Sequence, residues 1–367
     1  MIRLTVLCLI LIVANLLVTN QGLAEIVPET AVGVWLFDEA SGNIALDSSG
    51  HGNEGKIIGA EYVDGVFGKA IHFNGDGNYV EIDNADSLNP TEKISIVMWI
   101  KPDNGMDCNG NNNWRYLISK GNWGSYHLIW ESDWTFNEVA WTIMTQGINK
   151  RLWTTDGAPP GEWIHLGVTY DSDEGSRIYV NGKEDPGKNP EGPANGIIDI
   201  NSAVLKIAGG ENMGCPDGSG FFAGIIDDVA IFGEVLSGAD MEAIMNMGLK
   251  VSMATIDGLI ARKEKCFESG GIDNDGVANS LDQKLKAVKA ALDRSQTKVA
   301  ANILKAFINE VEAQSGKHIS QQCSIMLIDY AGCLISKIKG VSQAPLRQST
   351  VKSEDKLPSL WGKMKAK

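Results

Sequence analysis

Positive charge is scarce in most of this sequence, and that scarcity excludes one class of partner. Residues 25–249 contain 12 Lys and Arg against 34 Asp and Glu, a difference of −22. Residues 250–367 reverse the balance, with 19 Lys and Arg against 12 Asp and Glu, a difference of +7. The acidic part would repel phosphates, so we exclude nucleic acid as its ligand. The change of sign predicts a domain boundary near residue 250.

Cysteine and histidine are also scarce, and their spacing gives no support to several metal and catalytic centres. Six cysteines and five histidines occur in 367 residues. The sequence contains no Cys-x-x-Cys pair and no His-Glu-x-x-His motif, so zinc ribbons and zinc proteases have no basis here. It also has neither a Gly-x-Ser-x-Gly elbow nor a phosphate-binding loop.

A long hydrophobic run occurs only at the N-terminus, where it is typical of a secretory signal. Arg3 precedes the apolar stretch 4–14, and small residues, Gly22 and Ala24, stand where a signal peptidase needs them. The run is shorter than the ~20 residues of a spanning helix. We therefore predict a signal peptide over residues 1–24 and a secreted or cell-surface protein with no membrane span. An uncleaved anchor is the alternative.

Short strand patterns separated by turn residues fill the acidic part. Glycine is abundant, with 41 residues, and many glycines stand beside Asn or Asp, as they do in turns. Asn181-Gly182 between two β-rich runs predicts a hairpin, because both turn positions need positive φ. Many strands and few helices predict an all-β sandwich of two antiparallel sheets over residues 25–249.

Helical periodicity begins near residue 237. Ser237 is a capping residue that predicts a short helix over 237–247. Residues 341–367 are polar and rich in lysine, and they predict a flexible basic tail. Between them, apolar residues recur at three- and four-residue steps, as in Val299, Ile303, Phe307 and Val311, and predict a small all-α bundle over 250–340. Its predicted helices are 256–267, 276–292, 298–314 and 320–338.

A series of short motifs follows a specific order and spacing. The main motifs are GVWLFDE at 33–39, GKAIHFNG at 68–75, SIVMWIKP at 95–102, WIHLGVTYD at 163–171, IYVNG at 178–182 and FAGIIDDV at 222–229. Through this series, residues 30–247 resemble the laminin-G-like jelly-roll domains of the concanavalin A-like lectin superfamily. The resemblance implies a two-sheet jelly roll, often with calcium, that binds glycans or proteins in secreted multidomain chains.

The resemblance also suggests a place for calcium. The first and last strands of the resembled fold are neighbours, so Asp38 and Asp228 could share one Ca²⁺ with help from oxygens near Asn43 and Asp47. Calcium takes about six to eight oxygen ligands, which acidic loops supply. The alternative is that these carboxylates cap turns or accept hydrogen bonds from backbone N–H groups.

Eight tryptophans fall between residues 99 and 163. Trp99 and Trp163 stand in apolar strand contexts, which favours a place in the core. Three others stand among Asn, Gly, Ser and Asp, where an aromatic ring can stack on the apolar face of a sugar while its neighbours bind hydroxyls. Packing at the rim of the sandwich is the alternative. The candidate ligand-binding residues are Trp114, Trp123, Trp134, Asn112 and Asp133.

The cysteines outside the signal peptide number five, so at least one is free or pairs between chains. Cys108 and Cys215 lie in two Gly- and Asn-rich loops, and we predict a disulfide between them that holds the loops together at one end of the sheets. Cys266 in the first helix of the bundle could pair with either Cys323 or Cys333 in the last, and the sequence leaves both pairings open.

One group of acids is similar to a glycosidase motif. Some sandwiches of the resembled superfamily are glycosidases with a Glu-x-Asp-x-x-Glu strand. Here Glu131 and Asp133 would share a strand face, but Glu138 is seven positions from Glu131 and would fall on the opposite face unless the strand bulges. A retaining pair needs carboxyl groups ~5 Å apart. The spacing therefore argues against catalysis.

The bundle resembles the FIMAH domain, a small helical module of secreted bacterial proteins. The match supports secretion and a modular chain. Residues 271–282 also imitate an EF-hand loop, but they begin with Gly271 and end with Asp282 rather than Glu, so we assign Asp273 to a helix cap or first turn. The matching segments are IDGLI at 256–260, SGGIDN at 269–274, GVANSL at 276–281, AFIN at 306–309 and VEAQSGK at 311–317.

We therefore predict a secreted, non-enzymatic protein with two domains. Its lectin-like sandwich would bind an extracellular glycan or glycoprotein, with calcium as a structural ion, and its basic helical module would dock to a partner or surface. A polysaccharide-cleaving glycosidase or lyase is the second hypothesis. A structural module that binds only protein is the third.

Overall fold

The computed structural model describes residues 26–103, 114–121, 124–132, 137–155, 157–210 and 220–340, and the predicted signal peptide and tail lie outside them. Strands and short turns form the N-terminal part of these residues. The strands are β1 Ala31–Trp35, β2 Ile44–Ala45, β3 Gly55–Ile58, β4 Glu61–Asp64, β5 Lys69–Asn74, β6 Tyr79–Ile82, β7 Lys93–Pro102, β8 Trp114–Lys120, β9 Tyr126–Ser132, β10 Asn137–Thr145, β11 Ile148–Trp153, β12 Ile164–Asp171, β13 Gly175–Val180, β14 Lys183–Asp185, β15 Leu205–Ile207 and β16 Ala223–Phe232.

These strands form two antiparallel sheets. Sheet A has the order β14-β13-β12-β7-β16-β5-β4, and β1 also pairs with β16. Sheet B has the order β11-β10-β9-β8-β15-β6-β3-β2. Both sheets contribute to one continuous apolar core, which confirms the predicted two-sheet sandwich.

The hairpin between β13 and β14 shows how local sequence sets the strand pairing. Asn181 and Gly182 connect the two strands with φ angles of 50° and 75°. Both angles are positive, as a two-residue hairpin turn requires. The hairpin predicted from the Asn-Gly pair is therefore confirmed.

Three tryptophans anchor the core between the sheets. Trp35, Trp130 and Trp141 are fully buried there, and each indole N–H donates to a backbone carbonyl. Those hydrogen bonds remove most of the cost of burying a polar group. The prediction that Trp99 and Trp163 belong to this core is wrong, because both are only half-buried.

Helix α1, Gly238–Ser252, covers the outer face of sheet A. Ser237 caps it: the Ser237 hydroxyl accepts a hydrogen bond from the Asp240 N–H, and the Asp240 carboxylate accepts one from the Ser237 N–H. Met241 and Ile244 pack their apolar side chains against this face of the sheet. The helix breaks at Gly248, whose φ is 75°.

The remaining helices form the predicted bundle, α2 Ile256–Glu268, α3 Asp275–Asp293, α4 Thr297–Gln314 and α5 Gln321–Lys339. Two details differ from the sequence prediction. Val299 is 46% exposed, and the buried stripe of α4 begins at Ala300 instead. Asn274, rather than Asp273, caps α3, because its side chain accepts the Val277 N–H at 3.0 Å. Among the described helices, none combines the length and apolarity that a membrane span needs.

The two outer faces of the sandwich therefore differ. Helix α1 packs against the outer face of sheet A, whereas sheet B carries its own small cluster of aromatic and apolar side chains on its outer face.

Candidate functional site

The register of sheet B brings distant residues together on its outer face. Trp114 of β8 lies opposite Glu131 of β9, and Glu131 lies opposite Glu138 of β10. One row further along, Ala140 of β10 lies opposite Trp153 of β11. Because directly opposite residues in an antiparallel sheet point to the same side, these side chains share one surface.

Two tryptophans form the centre of that surface. The rings of Trp114 and Trp153 are 6.4 Å apart between centroids and tilted by 55°. Both rings pack on a small buried cluster that includes Ile129 and Ala140, and both side chains are half-buried. Two adjacent aromatic rings over a small residue form a platform suited to stacking.

A groove of about 550 Å³ opens beside Trp153. Carboxylate, amide and ammonium groups lie along it together with an indole ring, so it offers an apolar contact as well as hydrogen-bond donors and acceptors. A site of this composition suits a polyhydroxylated ligand with apolar C–H faces. The lining residues are Glu131, Glu138, Trp153, Lys188, Asn189 and Pro190.

The segment that carries Lys188 is fixed to the edge of sheet B. The Trp153 N–H donates to the Lys188 carbonyl at 2.9 Å, and the Lys188 N–H donates to the Trp153 carbonyl at 2.7 Å. The Lys188 ammonium then forms an ion pair of 2.6 Å with Glu138. The polar wall of the groove is therefore held by backbone bonds as well as by charge.

A second ion pair borders the aromatic pair. Arg151 lies 5.1 Å above the centre of the Trp114 ring and forms a 3.0 Å ion pair with Glu191. The other oxygen of Glu191 accepts the Arg151 backbone N–H at 2.9 Å. The guanidinium is thus held by a ring on one side and a carboxylate on the other.

Glu138 lies on the same face of sheet B as Glu131. The prediction that Glu138 falls on the opposite face is therefore wrong. The two residues are cross-strand partners on β9 and β10 and line the same groove. Counting alternate faces holds only along one continuous strand, and the chain reverses direction between these two residues. A carboxylate pair is therefore present that spacing alone had argued against.

Of the five candidate ligand-binding residues, the structure describes Trp114 alone, and it lies in the site. Trp123, Trp134, Asn112 and Asp133 lie outside the described residues. Sequence reasoning missed Trp153, Arg151 and Lys188. Trp153 ends a strand of mixed polarity, which gives no clear signal in the sequence. Arg151 and Lys188 reach the site through their pairing with other segments, and the sequence of one strand does not show that pairing.

The predicted calcium ligands have other partners. Asp47 accepts hydrogen bonds from the N–H groups of Val34, Ser49 and Asn53 at 2.9 Å each. The exposed Asn43 lends its backbone carbonyl to the Ile57 N–H at 2.8 Å. These N–H groups donate hydrogen bonds to the oxygens of Asp47 and Asn43, as the alternative interpretation of the sequence predicts.

Asp38 and Asp228 lie close enough for their charges to interact, as the resemblance implied. Burial, the largest cause, raises the pKa of both carboxyl groups, and the charge of Asp38 adds to the rise at Asp228. Asp38 accepts the Lys69 N–H at 2.9 Å, and Asp228 accepts the Leu249 N–H at 3.0 Å. Within the described ranges, no group of three or more His, Cys, Asp or Glu side chains could hold a metal ion. The calcium site at Asp38, Asn43, Asp47 and Asp228 therefore stays a prediction.

The cysteine pairing in the bundle is settled by distance. Cys266 of α2 and Cys323 of α5 form a disulfide with 6.0 Å between their Cα atoms, and Cys333 is a buried free thiol. The predicted bond between Cys108 and Cys215 lies outside the described residues and stays a prediction.

Two family models match the chain. The model of the concanavalin A-like lectin/glucanases superfamily matches residues 74–241, and the FIMAH domain model matches residues 256–336. These matches confirm the two resemblances predicted from sequence motifs. The chain therefore carries a laminin-G-like domain of the concanavalin A-like superfamily, and a FIMAH domain follows it. No curated protein matches the chain.

The fold is also similar to solved structures of toxin binding domains. The binding domain of Paraclostridial Mosquitocidal Protein 1 is 16% identical with a TM-score of 0.47, over 60% of this chain and 52% of that one. The receptor binding domain of the botulinum neurotoxin C/D mosaic serotype is 14% identical with a TM-score of 0.46, over 60% and 51%. The chain thus spans about half the length of the solved chains it matches, and a likeness at this level carries no information about its ligand.

Proposed function

We propose that the sandwich is a non-catalytic module that binds an extracellular glycan in the groove of sheet B. The observation that carries this proposal is the Trp114–Trp153 pair beside a wall of polar side chains. Sugars present apolar C–H faces to aromatic rings and hydroxyl groups to carboxylates, amides and ammonium groups. The superfamily match supports a binding module of this kind.

The test is a binding experiment with a single ring removed. Trp153→Ala should weaken the binding of the ligand glycan by at least about tenfold, because losing the contact of one large apolar side chain costs roughly 1.5–3 kcal/mol. Isothermal titration calorimetry after a glycan-array screen would measure this change. The wild-type protein should bind at least one glycan on the array.

A matched control removes a tryptophan elsewhere. Trp163 is half-buried and directly precedes β12 in sheet A, so Trp163→Ala should leave glycan affinity within about twofold of wild type. Equal losses in both variants would assign the effect to general destabilisation and count against the groove. No binding to any glycan would count against the proposal as a whole.

A second candidate function follows from the facing carboxylates. Glu131 and Glu138 line one groove on adjacent strands, and a carboxylate pair is the minimum for glycoside hydrolysis. The Glu138–Lys188 ion pair of 2.6 Å engages one of the two, which favours the binding function. Release of reducing ends from a polysaccharide panel, abolished by Glu131→Gln, would establish hydrolysis.

Two predictions from the sequence enter this proposal as separate tests. Export should yield a mature chain beginning at Glu25, which N-terminal sequencing of secreted protein would measure. Calcium should raise the melting temperature relative to EDTA if it binds the native state. The predicted ligands are Asp38, Asn43, Asp47 and Asp228, and Asp38→Asn should reduce such a rise.

A further inference from the structure

The charges around the groove select a class of glycan. We propose that the site binds uncharged polysaccharide and does not bind acidic polysaccharide. The reason is that the cationic side chains an acidic sugar would need already form ion pairs with carboxylates of the protein. This inference rests on the proposed glycan-binding function. It concerns the two ion pairs Arg151–Glu191 and Lys188–Glu138 that border the groove.

The Arg151 side chain is enclosed between the Trp114 ring and the Glu191 carboxylate. Its guanidinium lies over the Trp114 ring, and one Glu191 oxygen binds it while the other binds the Arg151 backbone. The Arg151 side chain is 15% exposed. The Lys150 ammonium also donates to the Glu191 carbonyl, at 2.6 Å, which anchors the segment that supplies the carboxylate. A sugar carboxylate or sulfate would have to displace the Glu191 carboxylate from two contacts with Arg151.

Lys188 is engaged in a similar way. Its backbone is bonded to Trp153 at the edge of the sheet, and its ammonium lies 2.6 Å from a Glu138 oxygen. The Glu138 side chain is 17% exposed and the Lys188 side chain is 48% exposed, so the carboxylate partner is the more buried of the two side chains. A ligand anion would compete with a carboxylate that is already in place and pre-oriented.

The surrounding charge acts in the same direction. The carboxylates of Glu131, Glu138 and Glu191 lie beside the cations Arg151, Lys188 and Lys150, so the groove has no excess of positive charge. The domain that holds the groove carries −22 over residues 25–249. An acidic polymer would meet a repulsive potential on approach, and a neutral one would not.

The test compares neutral and acidic ligands on the full secreted chain. Cellohexaose, mannohexaose and chitohexaose are the uncharged probes, and oligogalacturonate and heparin oligosaccharides are the acidic ones. Calorimetric titrations at 20 mM and 150 mM salt should show binding of at least one neutral probe with an affinity that salt changes by less than about twofold. The acidic probes should not bind.

Removing the carboxylate of either ion pair should allow the protein to bind an acidic oligosaccharide. Glu191→Gln removes a carboxylate from Arg151, and Glu138→Gln removes one from Lys188, so each variant should bind oligogalacturonate at 20 mM salt at least about tenfold more tightly than the detection limit that wild type does not reach. The gain should fall at 150 mM salt. Glu184→Gln is the matched control, because it removes one charge from β14 of sheet A, where Glu184 faces Arg177.

The outcomes separate this inference from the function on which it rests. Salt-sensitive binding of an acidic probe by wild type would overturn the inference and leave glycan binding standing. An equal gain in Glu184→Gln, or no gain in either groove variant, would also overturn it. Failure of wild type to bind any of the probes or any glycan on the array would instead overturn the proposed function. The melting temperature of each variant checks its folding, and the two groove variants test the inference independently.

Discussion

Ala140 shows how one small residue shapes the site. It lies directly opposite Trp153 across β10 and β11, and the rings of Trp153 and Trp114 pack on the cluster that contains it. A larger side chain at this position would lift the rings away from the sheet. The platform thus depends on the pairing of a methyl group with an indole across two strands.

Single buried histidines determine how the sandwich responds to acid. His165 is fully buried on the outer face of sheet A beside Trp99, with 5.2 Å between ring centroids. Neither of its ring nitrogens has a hydrogen-bond partner within the described part of the chain. Burial lowers the pKa of His165 to about 3, whereas the ordinary value is 6.5.

This shift predicts a loss of stability on acidification. Above about pH 6.5, His165 is neutral in both the folded and the unfolded chain and does not affect the free energy of unfolding. Below about pH 6.5, His165 binds a proton in the unfolded chain but not in the folded chain. The contribution of His165 to the free energy of unfolding should therefore fall by about 1.4 kcal/mol per pH unit between pH 6.5 and 3. His165→Met should make the measured slope shallower by about that amount in denaturant titrations.

The control for this prediction is an exposed histidine. His51 lies on the surface, so His51→Met controls for the effect of the substitution itself. A slope for His165→Met that equals the wild-type slope would show that the imidazole finds a proton-binding partner in the fold.

At the scale of elements, the disulfide between α2 and α5 is the strongest link in the bundle. Cys266 and Cys323 are separated by 57 residues, and both side chains are buried in the core of the bundle. A bond across such a loop restricts the unfolded chain and stabilises the fold by about 2–4 kcal/mol.

Replacing both cysteines with alanine should lower the melting temperature of the helical part by about 10 °C or more. Differential scanning calorimetry should resolve this change from the transition of the sandwich, which the bond does not touch. Reductant should lower the melting temperature of the wild type and of Cys333→Ala by a similar amount, since Cys333 is a free thiol. A response to reductant in the double variant would assign the effect to other cysteines.

At the scale of the whole molecule, a buried joint connects the sandwich to the bundle. Asp228 sits at a bulge in β16 with a φ of 49° and accepts the Leu249 N–H just after the break in α1. One residue further on, Lys250 forms a 2.8 Å ion pair with Asp329 of α5. The last strand of the sheet, the connecting helix and the last helix of the bundle thus meet at one place.

Burial, with a smaller contribution from the charge of Asp38, raises the pKa of Asp228 to about 7. The unfolded carboxyl titrates near 3.8, so between about pH 4 and 7 the folded chain holds a proton that the unfolded chain has lost. The stability contribution of Asp228 is therefore present at low pH and is lost as the pH rises through 7.

Asp228→Asn keeps an acceptor for Leu249 and removes the buried charge. We expect it to raise the free energy of unfolding at pH 8 in EDTA by about 1–3 kcal/mol, with a difference that shrinks toward pH 4. Asp173→Asn, a change at an exposed turn, should alter neither value. A difference that grows on acidification would contradict the buried, protonated carboxyl.

Local patterns determined much of this protein from its sequence alone. Turn pairs such as Asn181-Gly182, the cap at Ser237 and the apolar periodicity of the four helices all depend on neighbours within a few residues. Such short-range chemistry is readable along one strand or helix, and so the sandwich, the bundle and their order along the chain were predicted correctly.

Only the tertiary structure decided which residues share a surface. Glu131 and Glu138, Trp114 and Trp153, and Lys188 and Glu138 meet through strand pairing across hairpins and through a returning loop. Strand register depends on every residue of both strands and on the turn between them, so the face of a residue beyond a turn cannot be counted from its position. Asp38 and Asp228 likewise approach each other only in the folded chain. The Asp47 carboxylate instead accepts hydrogen bonds from the backbone N–H groups of Val34 and Asn53.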